Sequence, residues 1–446
     1  MAKITFMGAG SSVFAKNVLG DSMLSDALCD AEIALYDIDA ERLGESKQML
    51  DALNRNINQG RAKIDTYCGV DRRRDALQDA DYAINAAQVG GYEPSTVIDF
   101  EVPKKYGLRQ VIGDTLGVAG IFRALRTAPV LKDFTDDMEA VCPDVWFLNY
   151  ANPMVMNTTA VLRFSNVQTV GLCHSVQVCA SYLLEELKMT DEVKDLRWEV
   201  AGINHQAWLL KVMDGNKDLY PEIKRRAEKM NVEGRTDPEK RHGDMVRFEI
   251  MKRFGYYNTE SSEHTAEYTP WFIKNAHPEL LEEFNIPLDE YPRRCIKNAA
   301  DWKERSKGLI DNPDLAHEAR SEEYASRMME AMETGNAFCA HVNVMNNGLI
   351  TNLPQNVAVE VPCLVDRNGV HGIHVGALPE QCAALNRTNV NVQLLAVEAI
   401  LTGKKDYVYQ AAMLDPHTSA ELTIDQICSL CDDMIEAHGD MLPGFK

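Results

Sequence analysis

KITFMGAGSSVFAKNVLGDSML, residues 3–24, runs from a short apolar strand into a glycine turn and out into a helix. Gly8 and Gly10 close the strand, where glycine lets the backbone approach a pyrophosphate at a helix N-terminus. Val13 stands where a full GxGxxG fingerprint has its third glycine, and a lone GxG is weak. Its setting strengthens it: AEIALYDID (31–39) is a second strand ending in acid. Asp37 falls where a carboxylate accepts hydrogen bonds from an adenosine ribose, with Asp39 as the other candidate. A carboxylate there repels a 2′-phosphate, which favours NAD over NADP. Dinucleotide binding is expected ahead of a merely structural turn.

Working outward, the pattern repeats. The helical AERLGESKQMLDALNRNI (40–57) leads to KIDTYCGV (63–70), the short helix DRRRDALQDA (71–80) and the strand DYAINAAQVGG (81–91). The helical GIFRALRTAPVLKDFTDDMEAVC (120–142) precedes DVWFLNYANP (144–153), a strand that breaks at Asn152-Pro153, and VQTVGLCH (167–174) repeats that arrangement. Strands alternating with helices imply an α/β fold with a mostly parallel, Rossmann-like sheet covered on both faces. After about residue 195 the pattern changes to extended segments such as LRWEVAGINHQAWLLKVM (196–213), then helices and polar loops. Val390, Leu394, Val397 and Leu401 recur at helical spacing and predict a core helix. We therefore expect residues 1–195 to form a Rossmann-like NAD-binding domain. Residues 196–446 are expected to form a mixed α+β domain packed against it.

Composition narrows the function. At 446 residues, 45% hydrophobic and 25% charged, the chain reads as globular, and a net charge of −21 argues against nucleic acid and anionic membranes. The opening MAKITFMGAGSS lacks the long apolar core of a signal peptide, and no apolar run approaches the ~20 residues that cross a bilayer. Eleven irregularly spaced cysteines do not suggest a disulfide framework. Cys428 and Cys431 share one helix face without a second metal-binding pair, so core packing is expected there rather than zinc. A cytoplasmic protein acting on small molecules is expected.

The chemistry-bearing residues cluster in VGLCHSVQ (170–177), AGINH (201–205) and TESSEHTAEYTPWF (259–272). A hydroxy-acid dehydrogenase of the lactate/malate type needs a histidine–carboxylate pair and an arginine clamp. Arg123 and Arg126 in GIFRALRT are candidates for the clamp, against the plainer expectation of two exposed arginines on a helix. No histidine–aspartate arrangement follows the expected order. Cys173 and His205 both follow extended segments and both suit a divalent transition ion. From chemistry alone, metal binding stands level with a buried structural cysteine. A Cys173–His174 nucleophilic dyad ranks lower, because neighbours on a strand point to opposite faces.

These stretches, together with QVGGYEPSTVIDFEVPKKYGL (88–108), DTLGVAGIFRALRT (114–127), LPQNVAVEVPCLVD (353–366) and MLDPHTSAELTIDQI (413–427), resemble the NAD- and manganese-dependent glycosidases of glycoside hydrolase family four over essentially the whole chain. That family is an exception to hydrolysis by two carboxylates. The resemblance implies a Rossmann-like domain akin to lactate and malate dehydrogenases, completed by a mixed substrate domain. It implies Mn2+ ligands at Cys173 and His205, a proton donor at His174, a base at Tyr268 and a substrate contact at Asn152. It also implies an NAD site at Gly8, Gly10, Ser11, Ser12 and Asp37.

The implied chemistry is redox-neutral. Hydride leaves sugar C3 for NAD, Tyr268 removes the C2 proton, the aglycone leaves C1 with help from His174, and water addition and hydride return complete the cycle. The CHSVQ and TESSEH forms imply an unphosphorylated sugar and an α-galactosidase acting on substrates such as melibiose. An α-glucosidase or an α-glucuronidase/galacturonidase of the same family is the alternative, and an NAD-dependent dehydrogenase the alternative from another class. Val118-Ala119 depart from the Pro-Gly that relatives usually carry, leaving Asp114 a candidate sugar contact only. Glu260 and His264 belong near the site without an assigned role. Arg293 and Arg294 are left between a phosphate contact and a surface salt bridge. A homo-oligomer, dimer or tetramer, is expected on resemblance.

Overall fold

Short apolar runs such as KITFM, EIALYD and YAIN bury nearly every residue, which is what a parallel sheet covered by helices on both faces requires. The computed structural model describes residues 1–310, 312, 317 and 319–446, without the side chains of residues 12, 13, 303–306, 309 and 310. In chain order the strands are β1 Lys3–Met7, β2 Glu32–Asp37, β3 Lys63–Cys68, β4 Tyr82–Asn85, β5 Trp146–Asn149, β6 Gln168–Gly171, β7 Leu196–Ile203, β8 Gln206–Asp214, β9 Lys217–Asp218, β10 Tyr257–Asn258, β11 Phe338–Met345, β12 Ala358–Asp366 and β13 Gly369–Gly372.

The order β3-β2-β1-β4-β5-β6 is the doubly wound parallel arrangement of a Rossmann fold, with every neighbour parallel. Ile4 and Phe6 are wholly buried, and each such side chain contributes about 1.5–3 kcal/mol. The sheet does not stop at β6. It continues through β11, β12, β7, β8 and β10 as antiparallel neighbours, so a single 13-stranded sheet spans both halves of the chain.

Two junctions in that sheet are narrow. β6 meets β11 through the single pair Gly171–Asn343, and β12 meets β7 through the single pair Glu360–Gly202. Most other neighbouring strands share ladders of four or more pairs, so the β11–β12 hairpin is held to its flanks at one point each. This leaves the end of β6 and the β7–β8 turn free to approach each other.

The helix Glu380–Thr402 contains the expected apolar series, with Val390 and Val397 fully buried. It packs against the helices Gly117–Val141 and Met154–Phe164, which ties the C-terminal helices to the parallel sheet. Cys431 lies in the same core as Val397, and Cys428 is half-buried beside it on the helix Ile424–His438.

Candidate active site

The glycine turn at the end of β1 is built for close approach. Gly8 takes a left-handed conformation at φ +85°, and a Cβ there would lie 2.7 Å from the Ala87 backbone. Gly10 donates its N–H to Asp37 Oδ2 at 2.6 Å, and a Cβ on it would sit 2.9 Å from that oxygen. The helix Ser12–Met23 follows with no side chain capping its N-terminus. Ser11 is exposed at the turn, whereas the Ser12 side chain lies outside the described residues. A helix N-terminus that the Ser11 side chain does not cap, a turn with only the Ala9 methyl between its two glycines and an adjacent carboxylate together suit a pyrophosphate and a ribose. Asp39 is occupied elsewhere: it caps the helix Ala40–Asn58, accepting the N–H groups of Glu41 and Arg42 at 3.1 Å each.

A second convergence forms where β6 and the β7–β8 turn meet. Cys173 is the last extended residue before the helix His174–Glu186. His205 occupies the tight turn between Ile203 and Gln206 with a left-handed φ of +62°, a conformation that histidine holds only when its surroundings fix it. Cys173 Sγ lies 3.4 Å from His205 Nε2 and 3.1 Å from Ser175 Oγ. Glu260 Oε2 lies 3.6 Å from the same Nε2. The three donor atoms sit within 4.8 Å of one another.

Glu260 is itself left-handed at φ +68°. Its carbonyl accepts from the buried Arg247 guanidinium, which also pairs with Asp244 and lies 4.6 Å from the Tyr257 ring centroid. Burial, with the Glu260 and Glu360 carboxylates, pushes the Cys173 thiol well up. Burial also opposes the Glu260 charge, but His205 and His264 hold that carboxyl down at about 2. A thiol, an imidazole and an ionised carboxylate converging in a buried site fit a divalent transition ion, whose charge would turn the thiol into a thiolate. Asp114, His205 and His264 form an overlapping set of the same tightness.

The loop carrying Asp114 is clamped from behind. Glu267 accepts the N–H groups of Val111, Ile112 and Gly113 at 2.6, 3.0 and 3.1 Å, while burial pushes its carboxyl up to about 7. Its charge, when present, opposes ionisation of the neighbouring Tyr268. So held, Asp114 accepts from Asn152 Nδ2 at 3.1 Å and faces His264 Nε2 at 3.3 Å. Burial acts against its charge, but His264 and Arg123 hold its carboxyl well below the usual range.

Tyr268 ends the helix Ser262–Glu267 and is 1% exposed, its hydroxyl 3.5 Å from His205 Nδ1. Burial and the Asp114 carboxylate push its phenol well above its ordinary value, so it can act as a base near neutrality only with positive charge beside it. His174 is placed differently. It opens its helix as an exposed side chain, with Nδ1 3.4 Å from Glu323 Oε1, and is not among the converging donor atoms.

One expectation is corrected. Arg123 and Arg126 are buried rather than exposed. Arg126 makes a two-pronged pair with Asp99 at 3.0 and 2.6 Å, and Arg123 donates to the Asn152 carbonyl at 3.3 Å. The long helix carries them into the core because the C-terminal helices cover the face that a sequence reading leaves to solvent. Arg293 and Arg294, by contrast, are half-exposed and pair with Glu290, and Arg294 also with Glu263, as surface salt bridges do. Sequence reasoning gave no role to Thr115, Arg247 or Glu360. Thr115 and Glu360 act through partners far away in the chain, His205 and Asn204, and Arg247 through the Glu260 carbonyl 13 positions on.

Comparison with known proteins agrees with this architecture. Residues 3–189 match the family described as Family 4 glycosyl hydrolase, and residues 200–418 match its C-terminal domain. The chain is 57% identical to an α-galactosidase of Bacillus subtilis (strain 168) over 446 residues, the whole of both chains. It is 36% identical to an α-galactosidase of Rhizobium meliloti (strain 1021), covering 99% of this chain and 89% of that one. A 6-phospho-α-glucosidase from gut microorganisms, solved in complex with NAD and Mn2+, superposes over 100% of both chains with a TM-score of 0.78 at 20% identity.

Proposed function

The chain belongs to glycosyl hydrolase family 4, and on that premise we propose that it is an α-galactosidase working with NAD and Mn2+. The convergence of Cys173, His205 and Glu260 beside the Tyr268 hydroxyl carries this assignment. The choice of an α-galactoside follows the full-length relatives.

Residues 1–195 hold the dinucleotide at the turn of Gly8, Gly10, Ser11 and Ser12, with Asp37 on the ribose, and residues 196–446 complete the substrate site. Cys173, His205 and Glu260 hold the metal. When bound, NAD supplies a hydride acceptor and donor at the sugar, and Mn2+ supplies a Lewis acid for sugar oxygens. Tyr268 accepts the proton from the sugar carbon. Asn152, fixed by Asp114 and by Arg123 on its carbonyl, orients the substrate. His174 gives a proton to the departing oxygen, with the Glu323 carboxyl group 3.4 Å from its Nδ1.

The eleven cysteines are all unpaired, which supports a cytoplasmic setting. No helix among the described residues is long and apolar enough to cross a membrane. A homo-oligomer follows from the family resemblance, and sedimentation checks it directly.

The test is hydrolysis of 4-nitrophenyl α-galactoside with NAD⁺, Mn2+ and reductant, each omitted in turn. Activity should require both NAD and metal. Undiminished turnover after exhaustive removal of both contradicts the mechanism. Preference for the matching α-glucoside or α-galacturonide contradicts the substrate, and NADH accumulating in step with substrate marks a dehydrogenase instead.

A further inference from the structure

Thr115 sits at a junction that none of the roles above uses. Its Oγ1 lies 2.9 Å from Asp114 Oδ1 and 3.1 Å from His205 Nδ1, and the Tyr268 hydroxyl lies 3.5 Å from the same His205 nitrogen. A threonine hydroxyl has one proton and two acceptor lone pairs. An ionised carboxylate can only accept, and a hydrogen bond to it is about twice as strong as one between neutral groups. The single proton of Thr115 therefore goes to Asp114, and Asn152 supplies the second donor to that carboxylate. What Thr115 turns toward His205 is a lone pair.

We propose that Thr115 is a positioning residue that fixes the tautomer of His205, keeping the proton on Nδ1 so that Nε2 presents its lone pair to Cys173 and Glu260. Nε2 is the nitrogen 3.4 Å from Cys173 Sγ and 3.6 Å from Glu260 Oε2, so the other tautomer would aim an N–H at the metal position. Thr115 acts through His205. The His205 backbone is held in a left-handed turn, so the imidazole is presented to Thr115 from a fixed position. The proposal rests on the Mn2+ assignment above and adds the group that prepares its imidazole ligand.

The test is titration of the full-length protein with Mn2+ alone, following the free-ion electron paramagnetic resonance signal, for the unaltered chain, Thr115→Val and Thr115→Ser. Valine keeps the shape and removes the hydroxyl, whereas serine keeps the hydroxyl. Thr115→Val should weaken Mn2+ binding by about 10–100-fold, as loss of a partner to a ligating histidine typically does, and Thr115→Ser should restore it to within about threefold. Equal affinity in Thr115→Val and the unaltered chain overturns the proposal, as does equal weakening in valine and serine variants. If Thr115→Val does not fold, Thr115→Ala against Thr115→Ser decides in the same way. An unaltered chain that binds no Mn2+ instead removes the metal assignment itself, a result distinct from any difference between variants.

Discussion

Cys173 Sγ lies 3.4 Å from His205 Nε2 although the two residues are 32 positions apart in the chain and follow different strands of the sheet. One follows the last parallel strand, and the other fills the turn of an antiparallel hairpin. The two single-pair junctions around β11 and β12 let those ends meet. The pair is thus a product of how the parallel and antiparallel parts of the sheet are joined.

Cys173→Ser removes the soft donor while keeping a small polar side chain. Mn2+ affinity and glycosidase activity should fall together by more than about 100-fold, beyond the loss typical of a group that only supports a ligand. Metal titration beside the aryl-galactoside assay checks it, and retention of both contradicts the assignment.

Tyr268→Phe deletes one oxygen from a wholly buried ring. Turnover should drop by about 10²–10⁴-fold, the usual worth of a positioned base, with NAD and Mn2+ affinities within a few-fold of the unaltered chain. Parallel loss of metal binding would mark the phenol as a ligand support instead of a base.

Asp37 and Asp39 separate by location. Asp37 faces the glycine turn, so Asp37→Ala should weaken NAD binding about tenfold. Asp39 caps a helix, so Asp39→Ala should leave NAD affinity unchanged while costing about 1 kcal/mol of stability. Fluorescence titration with NADH and denaturant unfolding read the two effects independently.

Glu360 gives a pH signature. It is fully buried, accepts from Asn204 and Asn343 at 3.1 Å each, and burial pushes its carboxyl up to about 7. Between its ordinary value of about 4.5 and about 7, the folded chain keeps a proton that the unfolded chain has released. Its contribution to stability is therefore fully present below that window and lost as pH rises through it, by on the order of 3 kcal/mol at most. Metal-free Glu360→Gln lacks this loss. The stability of the unaltered chain relative to the variant should decline from pH 5 to pH 8 in urea unfolding, and parallel profiles contradict the ionisation.

Much of this was legible in the sequence where function is local. The strand, glycine turn and helix at residues 3–24 follow from apolar runs and turn chemistry, and Cys173 and His205 are marked as metal-binding types at strand ends. Other features are not local. The burial of Arg123 and Arg126 depends on C-terminal helices that lie far along the chain. The Glu267 clamp joins a residue beside Tyr268 to backbone N–H groups about 155 positions away, and Thr115 gains meaning only when folding brings it to His205. The extension of one sheet across both halves is likewise invisible to periodicity, because a single register pair at each junction leaves no sequence pattern.

The most direct test of the central claim is turnover of an α-galactoside in D2O with NAD⁺ and Mn2+, followed by NMR of the released galactose. Proton removal by Tyr268 and later reprotonation from solvent predict deuterium at C2 of the product. Galactose released with C2 fully protonated contradicts the account, since hydrolysis would then have proceeded without breaking that bond.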